Sequence, residues 1–483
     1  MTIQTPPNRP EGLRALEARL AADLAALNHP PANWIPPTRR DGVTIPDVVI
    51  VGAGMCGLVA AFALQRAGIR NIRILDRSPA GREGPWVTYA RMETLRSPKA
   101  LTGPAFGIGA LTFRQWYTAQ WGVAAWEALD KIPREMWMAY LVWYRRALSL
   151  PVENGIEVTR IAPDGELLQL SLAGRDVRDG TLRCRRVVLA TGRDGMGAPN
   201  IPGFVRHLPR GALWAHSSDP IDFGALAGKR VGVVGVGASA VDNAAEALEA
   251  GCAVCRLLIR RAEMPTINKM MGIGSYGLTA GFPDLPDAWR WRLMRYSFVT
   301  QTPAPRGSTL RVSRHPNAHF HFGAGIEEVR REGDSLQVRV AGDRRFDLDF
   351  LILGTGFTVE PERRTELGPA AAEVRLWRDV YTPPPDEAHG ELALFPYLAR
   401  DFSFQPREGG AARWLARVHC FNYGATLSMG KVSGDIPAVS EGGAFLARAL
   451  ASAFYQEDIA RHWQALQDYS KPELLGDEWR PAE

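Results

Sequence analysis

The sequence predicts an α/β fold with two Rossmann-like units, the second inserted into the first. The order strand, glycine-rich turn, helix, strand occurs at residues 47–76 and again at residues 229–261. The chain has 483 residues, more than one hydrophobic core usually serves. Because apolar strands alternate with helices in both units, we expect parallel sheets covered by helices.

The predicted boundaries divide the chain into four segments. Leucines at helical spacing predict an amphipathic N-terminal helix, and a proline-rich linker follows it. The first unit should resume after the insertion, because the apolar strand at residues 346–357 and a final helix would complete it. The segments are the N-terminal helix and arm at 1–44, the first unit at 45–205, the inserted unit at 206–325, and the rest of the first unit with the C-terminal helix at 326–483.

Composition excludes several classes of function. The net charge of +5 comes from 57 basic and 52 acidic residues, and the arginines are scattered, so we expect no nucleic-acid partner. The apolar run at residues 48–64 is too short to span a membrane. Five cysteines form no disulfide framework and favour a reducing, cytoplasmic compartment. The sequence contains neither GxSxG nor HExxH, we predict no metal, and self-association stays open.

The first glycine turn carries Gly52, Gly54 and Gly57 in the spacing GxGxxG. These glycines allow a tight turn, close approach of a pyrophosphate, and close packing of helix on strand. The helix that follows presents free N–H groups to phosphates. Asp76 ends the next strand, where a carboxylate accepts hydrogen bonds from ribose hydroxyls. The turn therefore predicts a bound dinucleotide that has no 2′-phosphate.

The second glycine turn carries Gly235 and Gly237, with Ala240 in place of the third glycine. The next strand leads into Arg260 and Arg261 and not into an acid. Guanidinium groups match a phosphate dianion in charge and geometry. The inserted unit is therefore predicted to bind NADP(H) in preference to NAD(H).

Two further segments carry a resemblance to a known family. RRVVLATG at residues 185–192 and DFLILGTGF at 349–357 resemble the crossing segments of two-dinucleotide-binding flavoproteins. Within that superfamily, residues 45–440 are similar to the class B flavoprotein monooxygenases. The resemblance implies FAD in the first domain and NADPH in the inserted one. It also implies that NADPH reduces FAD and that a flavin hydroperoxide transfers one oxygen atom of dioxygen to a small polar substrate.

The motifs and the resemblance together give the residues expected to contact the cofactors. They are Gly52, Gly54, Cys56, Gly57, Asp76, Arg77, Trp86, Met92, Val158, Thr191, Gly192, Gly235, Gly237, Ser239, Ala240, Arg260, Arg261, Thr355, Gly356, Thr426 and Leu427.

Four segments resemble the N-hydroxylating branch of the class. Residues 86–103 contain Lys99, which the resemblance places against a substrate carboxylate, and residues 264–270 contain Asn268, placed near the substrate. Residues 131–146 match a helix of that branch. Residues 421–430 match its C-terminal segment, with Tyr423 where the branch carries histidine. The resemblance therefore favours N-hydroxylation of an amine or amino acid.

Other reactions stay open. His216 lies where Baeyer–Villiger enzymes carry a histidine that borders the nicotinamide, but Gly211 precedes it at a different spacing. Aromatic residues near Lys99 also suit a heteroaromatic, purine-like substrate or a sulfide. A flavin reductase or oxidase without oxygen insertion is the alternative from another class. A thioredoxin-reductase-like dithiol is not expected, because Cys252 and Cys255 lead into a strand and are interpreted as packing residues.

Overall fold

A computed structural model describes residues 10–174, 180–480 and 482. In the first part of the chain, the helices and strands are α1 Pro10–Ala26, β1 Arg39–Arg40, β2 Val43–Thr44, β3 Val48–Val51, α2 Met55–Arg66, β4 Ile72–Asp76, α3 Phe113–Ala128, α4 Arg134–Ala147, β5 Val152–Asn154, β6 Glu157–Asp164, β7 Leu167–Ala173, β8 Thr181–Cys184, β9 Arg186–Leu189, β10 Trp214–His216, β11 Arg230–Val234, α5 Ala238–Glu249 and β12 Val254–Leu258.

In the second part of the chain they are α6 Tyr276–Gly281, α7 Asp287–Thr300, α8 Arg306–Ser313, β13 Ala318–His321, β14 Ile326–Glu332, β15 Ser335–Val340, β16 Arg344–Leu348, β17 Phe350–Leu353, β18 Val418–Cys420, α9 Thr426–Met429, α10 Val439–Glu457 and α11 Ile459–Asp468.

Two five-stranded parallel sheets form the framework. The first has the order β18-β9-β3-β4-β5 and the second has the order β10-β17-β11-β12-β13. In each sheet the strand before the glycine turn is central, and its residues are Val48–Val51 in the first sheet and Arg230–Val234 in the second. Runs of buried valine and isoleucine fit strands that are covered on both faces. The predicted α/β class with two Rossmann-like units is therefore confirmed.

One predicted strand joins the other sheet. We expected residues 346–357 to complete the first unit, but Phe350–Leu353 pairs with β10 and β11 in the second sheet. The first sheet is completed instead by Val418–Cys420, which pairs with β9. The predicted boundary at residue 325 is therefore too early for the second sheet. A buried apolar strand does not reveal from sequence which of two similar sheets it enters.

The inserted segment also packs on the first unit. Phe282, Trp291 and Met294 belong to the hydrophobic core of the first unit, although they lie inside the predicted insertion. Helix α7 thus covers part of the first unit beside α9. The predicted N-terminal helix is present as α1, and its Leu16 and Leu20 are buried in the same core.

Two general features concern the whole described chain. Among the described residues, no helix combines the length and apolar character that crossing a membrane requires. All five cysteines are buried thiols without disulfides. Cys255 lies near the amino-terminal end of β12 and Cys252 just before that strand, and their thiols contact each other. This end of the strand is opposite the edge that carries the glycine turns, so the two thiols are not at a cofactor-binding edge.

Candidate active site

The first glycine turn forms a cradle that a side chain would fill. Gly52 has φ +102°, and a Cβ there would lie 2.5 Å from the carbonyl oxygen of Ala190. A Cβ on Gly57 would overlap the carbonyl oxygen of Gly52. Gly54 caps helix α2 without any side-chain hydrogen bond, so the first N–H groups of the helix are available to a phosphate.

Asp76 lies beside this turn at the carboxyl end of β4. Its carboxylate accepts hydrogen bonds from the backbone N–H of Ala53 and of Ser78, each at 2.7 Å. A cavity of about 360 Å³ opens next to it, lined in part by Gly54, Leu141 and the ion pair of Glu83 with Arg145. The turn, the carboxylate and the cavity together fit the adenosine diphosphate half of a dinucleotide.

The second glycine turn repeats the cradle with one change. Gly235 has φ +109°, and Gly237 caps α5 without a side-chain hydrogen bond. Ala240 is tolerated at the third position because Gly354, at the end of β17, has no side chain. A Cβ on Gly354 would overlap the Cβ of Ala240. These residues fit a second dinucleotide.

The two arginines predicted to bind a phosphate differ in how many of their hydrogen-bond donors are already used within the protein. Arg261 donates to Gln301 Oε1 at 2.8 Å and to the carbonyl oxygen of Val299 at 2.9 Å. Arg260 is exposed and makes no hydrogen bond within the described part of the chain. Arg260 is therefore the freer of the two guanidinium groups beside this cradle.

Lys99 has a structural role in this geometry. Its ammonium donates to the carbonyl oxygens of Trp126, Glu127 and Leu129, at 2.8, 3.2 and 2.6 Å. These carbonyls end helix α3, where a cation complements the helix dipole. An ammonium has three donors, so none is left for a substrate carboxylate. This geometry contradicts the predicted anchoring role of Lys99.

The other two predicted catalytic residues lie apart from Lys99. His216 ends β10, and its ring nitrogens lie 2.9 Å from the carbonyl oxygen of Gly356 and 2.7 Å from Ser218 Oγ. Burial lowers the pKa of His216, so the neutral ring ties β10 to the segment after β17. Asn268 is half-buried in the loop after β12. The described contacts do not bring these three residues together.

Most of the remaining predicted cofactor contacts follow the carboxyl ends of strands in the two parallel sheets. Thr191 Oγ1 accepts a hydrogen bond from Asn422 at 3.1 Å, which joins the ends of β9 and β18. Burial raises the pKa of the Cys56 thiol to about 12, so Cys56 is a packing residue at the start of α2. Of the others, Arg77, Trp86 and Met92 follow β4, Gly192 follows β9, Thr355 and Gly356 follow β17, Ser239 is in the first turn of α5, and Thr426 and Leu427 are in α9. Val158 lies in β6, in a separate three-stranded antiparallel sheet with β7 and β8.

Arg96 lies at the junction of the two units and was missed from the sequence. Its Nη2 donates to the carbonyl oxygen of Pro303 at 2.6 Å, across from the first unit to the second. Burial lowers the pKa of Arg96, while the charges of Asp242 on α5 and Asp435 before α10 raise it. A single arginine among many carries no signal in sequence that would distinguish it.

A second arginine missed from the sequence stacks on an aromatic ring near the ends of β9 and β18. The guanidinium carbon of Arg193, just after β9, lies 3.7 Å from the ring centroid of Tyr423, just after β18. Burial raises the pKa of Tyr423, Arg193 lowers it, and the charges of Glu391 and Asp435 raise it. The departure from histidine at position 423 was the only signal of this pair in the sequence.

Comparison with known proteins identifies the family. Residues 49–272 match the pyridine nucleotide-disulphide oxidoreductase family. The chain is 39% identical, over 98% of its length and 99% of the relative's, to the FAD-dependent urate hydroxylase of Xanthomonas campestris pv. campestris. The chain belongs to this family of FAD-dependent hydroxylases. This hydroxylase is therefore an FAD-dependent oxidoreductase of the monooxygenase type.

Solved structures show that the hydroxylase shares its fold with enzymes that act on amines. The ornithine hydroxylase of Pseudomonas aeruginosa superposes with a TM-score of 0.64 at 18% identity, over 84% of this chain and 99% of that one. The L-lysine 6-monooxygenase of Pseudomonas syringae gives 0.63 at 18% identity, over 85% and 99%. At this identity the likeness shows the shared fold, and the 39% identity to the urate hydroxylase confirms the predicted flavoprotein monooxygenase family.

Proposed function

We propose that this hydroxylase takes electrons from NADPH and inserts one oxygen atom of dioxygen into a planar heteroaromatic substrate of the urate type. The observation that carries the proposal is the 39% identity over almost the full length of the Xanthomonas urate hydroxylase. The two adjacent cradles support it, because they provide one site for FAD and one for its reductant.

The first unit would hold FAD along the carboxyl edge of its sheet. The pyrophosphate would meet the glycine turn at Gly52 and the start of α2, and the adenosine ribose would meet Asp76 on β4. The flavin would then extend to the opposite side of β3, where β9 and β18 end. Reduced FAD, when bound there, supplies the chemistry that activates dioxygen.

The second unit would hold NADPH in the same way. Its pyrophosphate would meet the turn at Gly235, and its 2′-phosphate would meet Arg260, which has free donors. Arg261 would contribute less, because Gln301 and Val299 already occupy two of its groups.

The chain's own residues would position the substrate and exclude water. Arg96, which joins the two units through Pro303, would supply the cation that the sequence assigns to Lys99. Helix α7 and the segment at residues 276–285 cover the first unit beside α9 and would limit access of water to the cleft. His216 would stay neutral and hold the segment after β17 in place.

N-hydroxylation of an amine or amino acid is the less supported reaction. It relied on Lys99 as the anchor of a substrate carboxylate, and the three donors of Lys99 are bonded to the end of α3. Arg96 would supply a guanidinium group in its place, and guanidinium groups attract anions and repel protonated amines.

The test is a panel of substrates assayed with the FAD-loaded enzyme. Urate, xanthine, L-ornithine, L-lysine and cadaverine would each be incubated with NADPH and with NADH, and oxygenated products measured by mass spectrometry. We expect an oxygenated product from urate or xanthine, with NADPH preferred. N-hydroxylated ornithine, lysine or cadaverine, or NADPH consumption without any oxygenated product, would contradict the proposal.

A further inference from the structure

Arg193 and Tyr423 form a stacked pair between the ends of two neighbouring strands. The backbone N–H of Tyr423 donates to the carbonyl oxygen of Gly192 at 3.3 Å. The buried side chain of Asn422 bonds to Thr191 Oγ1. These contacts fix the two loops against each other, so the tyrosine ring is a firm platform under the guanidinium.

The guanidinium of Arg193 keeps its donors free. Within the described part of the chain it has no hydrogen bond and no ion pair, and its recorded contact is the tyrosine ring. Glu391 is near enough for Arg193 to lower its pKa, which burial raises, but the two side chains do not pair. A guanidinium laid flat on a ring turns its N–H edge outward, toward an acceptor in the same plane.

The pair lies on the side of the sheet where the flavin would be. Asp76 fixes the adenosine end on β4, and β9 and β18 lie on the opposite side of the central strand. Asp435 is an electrostatic neighbour of both Tyr423 and Arg96. Asp435 thus acts by its charge on groups at both ends of this edge, and Arg96 reaches the second unit through its hydrogen bond to Pro303.

We infer that Arg193, held flat on Tyr423, recognises the anionic edge of a planar heterocyclic substrate and discriminates against protonated aliphatic amines. A planar anion with neighbouring oxygen and nitrogen acceptors matches the parallel N–H groups of a guanidinium. Urate is such an anion near neutral pH. The inference rests on the proposed function and narrows it to substrates that carry negative charge on the ring.

The test compares Arg193→Met, Arg193→Lys and the matched control Arg314→Met, an exposed arginine that directly follows α8. Urate binding to each FAD-loaded enzyme would be measured from the change in flavin absorbance, together with KM, kcat, FAD content and the rate of anaerobic reduction by NADPH. Loss of charge-assisted hydrogen bonds should raise the Kd and KM for urate roughly 10- to 100-fold in Arg193→Met. The Kd and KM of Arg193→Lys should lie between those of the wild type and Arg193→Met, because lysine keeps the charge and loses the planar fork. FAD content and the rate of reduction should not change in either variant.

Three results would overturn the inference. An unchanged Kd for urate in Arg193→Met would show that the guanidinium does not meet the substrate, and loss of FAD from that variant would assign Arg193 to the cofactor. Failure of the wild type to bind urate, xanthine or orotate would also overturn it. If the wild type binds urate through Arg193 without oxygenating it, the inference stands and the proposed function fails.

Discussion

The two nucleotide-binding units differ at the contact between the helix after the glycine turn and a neighbouring strand. One unit carries the alanine methyl group on the strand side of this contact, and the other carries it on the helix side. In the first unit Gly57 on the helix faces Ala190 at the end of β9, and in the second Ala240 on the helix faces Gly354 at the end of β17. In the first unit a Cβ on Gly57 would clash with the carbonyl oxygen of Gly52 and would lie 3.6 Å from the Cβ of Ala190. In the second unit a Cβ on Gly354 would clash with the Cβ of Ala240. The third position of a glycine turn therefore has to be interpreted together with the strand that it packs against.

The units also differ in the group that follows the second strand. The first presents the buried carboxylate of Asp76, and the second presents the exposed guanidinium of Arg260. A carboxylate accepts hydrogen bonds from ribose hydroxyls and repels a phosphate, whereas a guanidinium attracts it. One residue at the same position, after the second strand of each unit, can thus distinguish which of two cofactors the unit binds.

Gly57→Ala should have the largest effect, because its Cβ would overlap the carbonyl oxygen of Gly52 and force helix α2 away from β3. We expect the purified variant to lose most of its FAD, measured as flavin absorbance per mole of folded protein. Ala240→Gly is the matched control in the other unit and should keep its FAD. Full FAD content in Gly57→Ala would show that the contact has more room than the structure indicates.

Gly354→Ala should damage the second unit alone. The new Cβ would overlap that of Ala240, so the turn at Gly235 would shift while the first unit is untouched. We expect normal FAD content and a large loss in the rate of flavin reduction by NADPH, measured anaerobically. The double variant Gly354→Ala with Ala240→Gly should recover part of that rate, and no recovery would contradict the exchange of methyl positions.

Arg260→Ala should weaken the binding of NADPH more than the binding of NADH. Hydrogen bonds to a charged group contribute about 1.5–3 kcal/mol, so the KM for NADPH should rise roughly 10- to 100-fold while that for NADH stays the same. Arg261→Ala should have a smaller effect because its guanidinium already bonds to Gln301 and Val299. Equal increases in the KM values for NADPH and NADH in Arg260→Ala would argue against contact of Arg260 with the 2′-phosphate.

The edge strands of the two sheets each carry a buried histidine, His216 on β10 and His419 on β18. Burial lowers the pKa of His419 from 6.5 to about 4, while Asp401 raises it and Arg186 lowers it further. As the pH falls, His419 therefore binds a proton in the unfolded chain before it does so in the folded chain. Stability that is present above pH 6.5 is lost as the pH falls toward 4.

This loss should reach roughly 3 kcal/mol at most, measured as the free energy of unfolding in denaturant between pH 7 and pH 4. His419→Gln should have a shallower pH dependence than the wild type. His207→Gln, at an exposed position, should match the wild type. The same slope in His419→Gln and wild type would exclude His419 as a source of the pH dependence.

Local patterns predicted the framework, but not the contacts between distant segments. The glycine turns and the second strands, with Asp76 and Arg260 after them, depend on neighbours in sequence, and the structure has these elements where they were expected. The sheet that β17 joins depends on pairing over more than a hundred residues. The bonding of Lys99 to the end of α3, of Arg96 to Pro303 and the stacking of Arg193 on Tyr423 depend on tertiary packing, which spacing does not reveal.

The most direct test of the account follows the oxygen atom. The FAD-loaded enzyme would be incubated with NADPH, urate and ¹⁸O₂, and the label in the product compared with the NADPH consumed. We predict one ¹⁸O atom in each molecule of hydroxylated product and one product for each NADPH. NADPH oxidation that yields no labelled product from urate, together with labelled hydroxylamine from ornithine or lysine, would contradict the account.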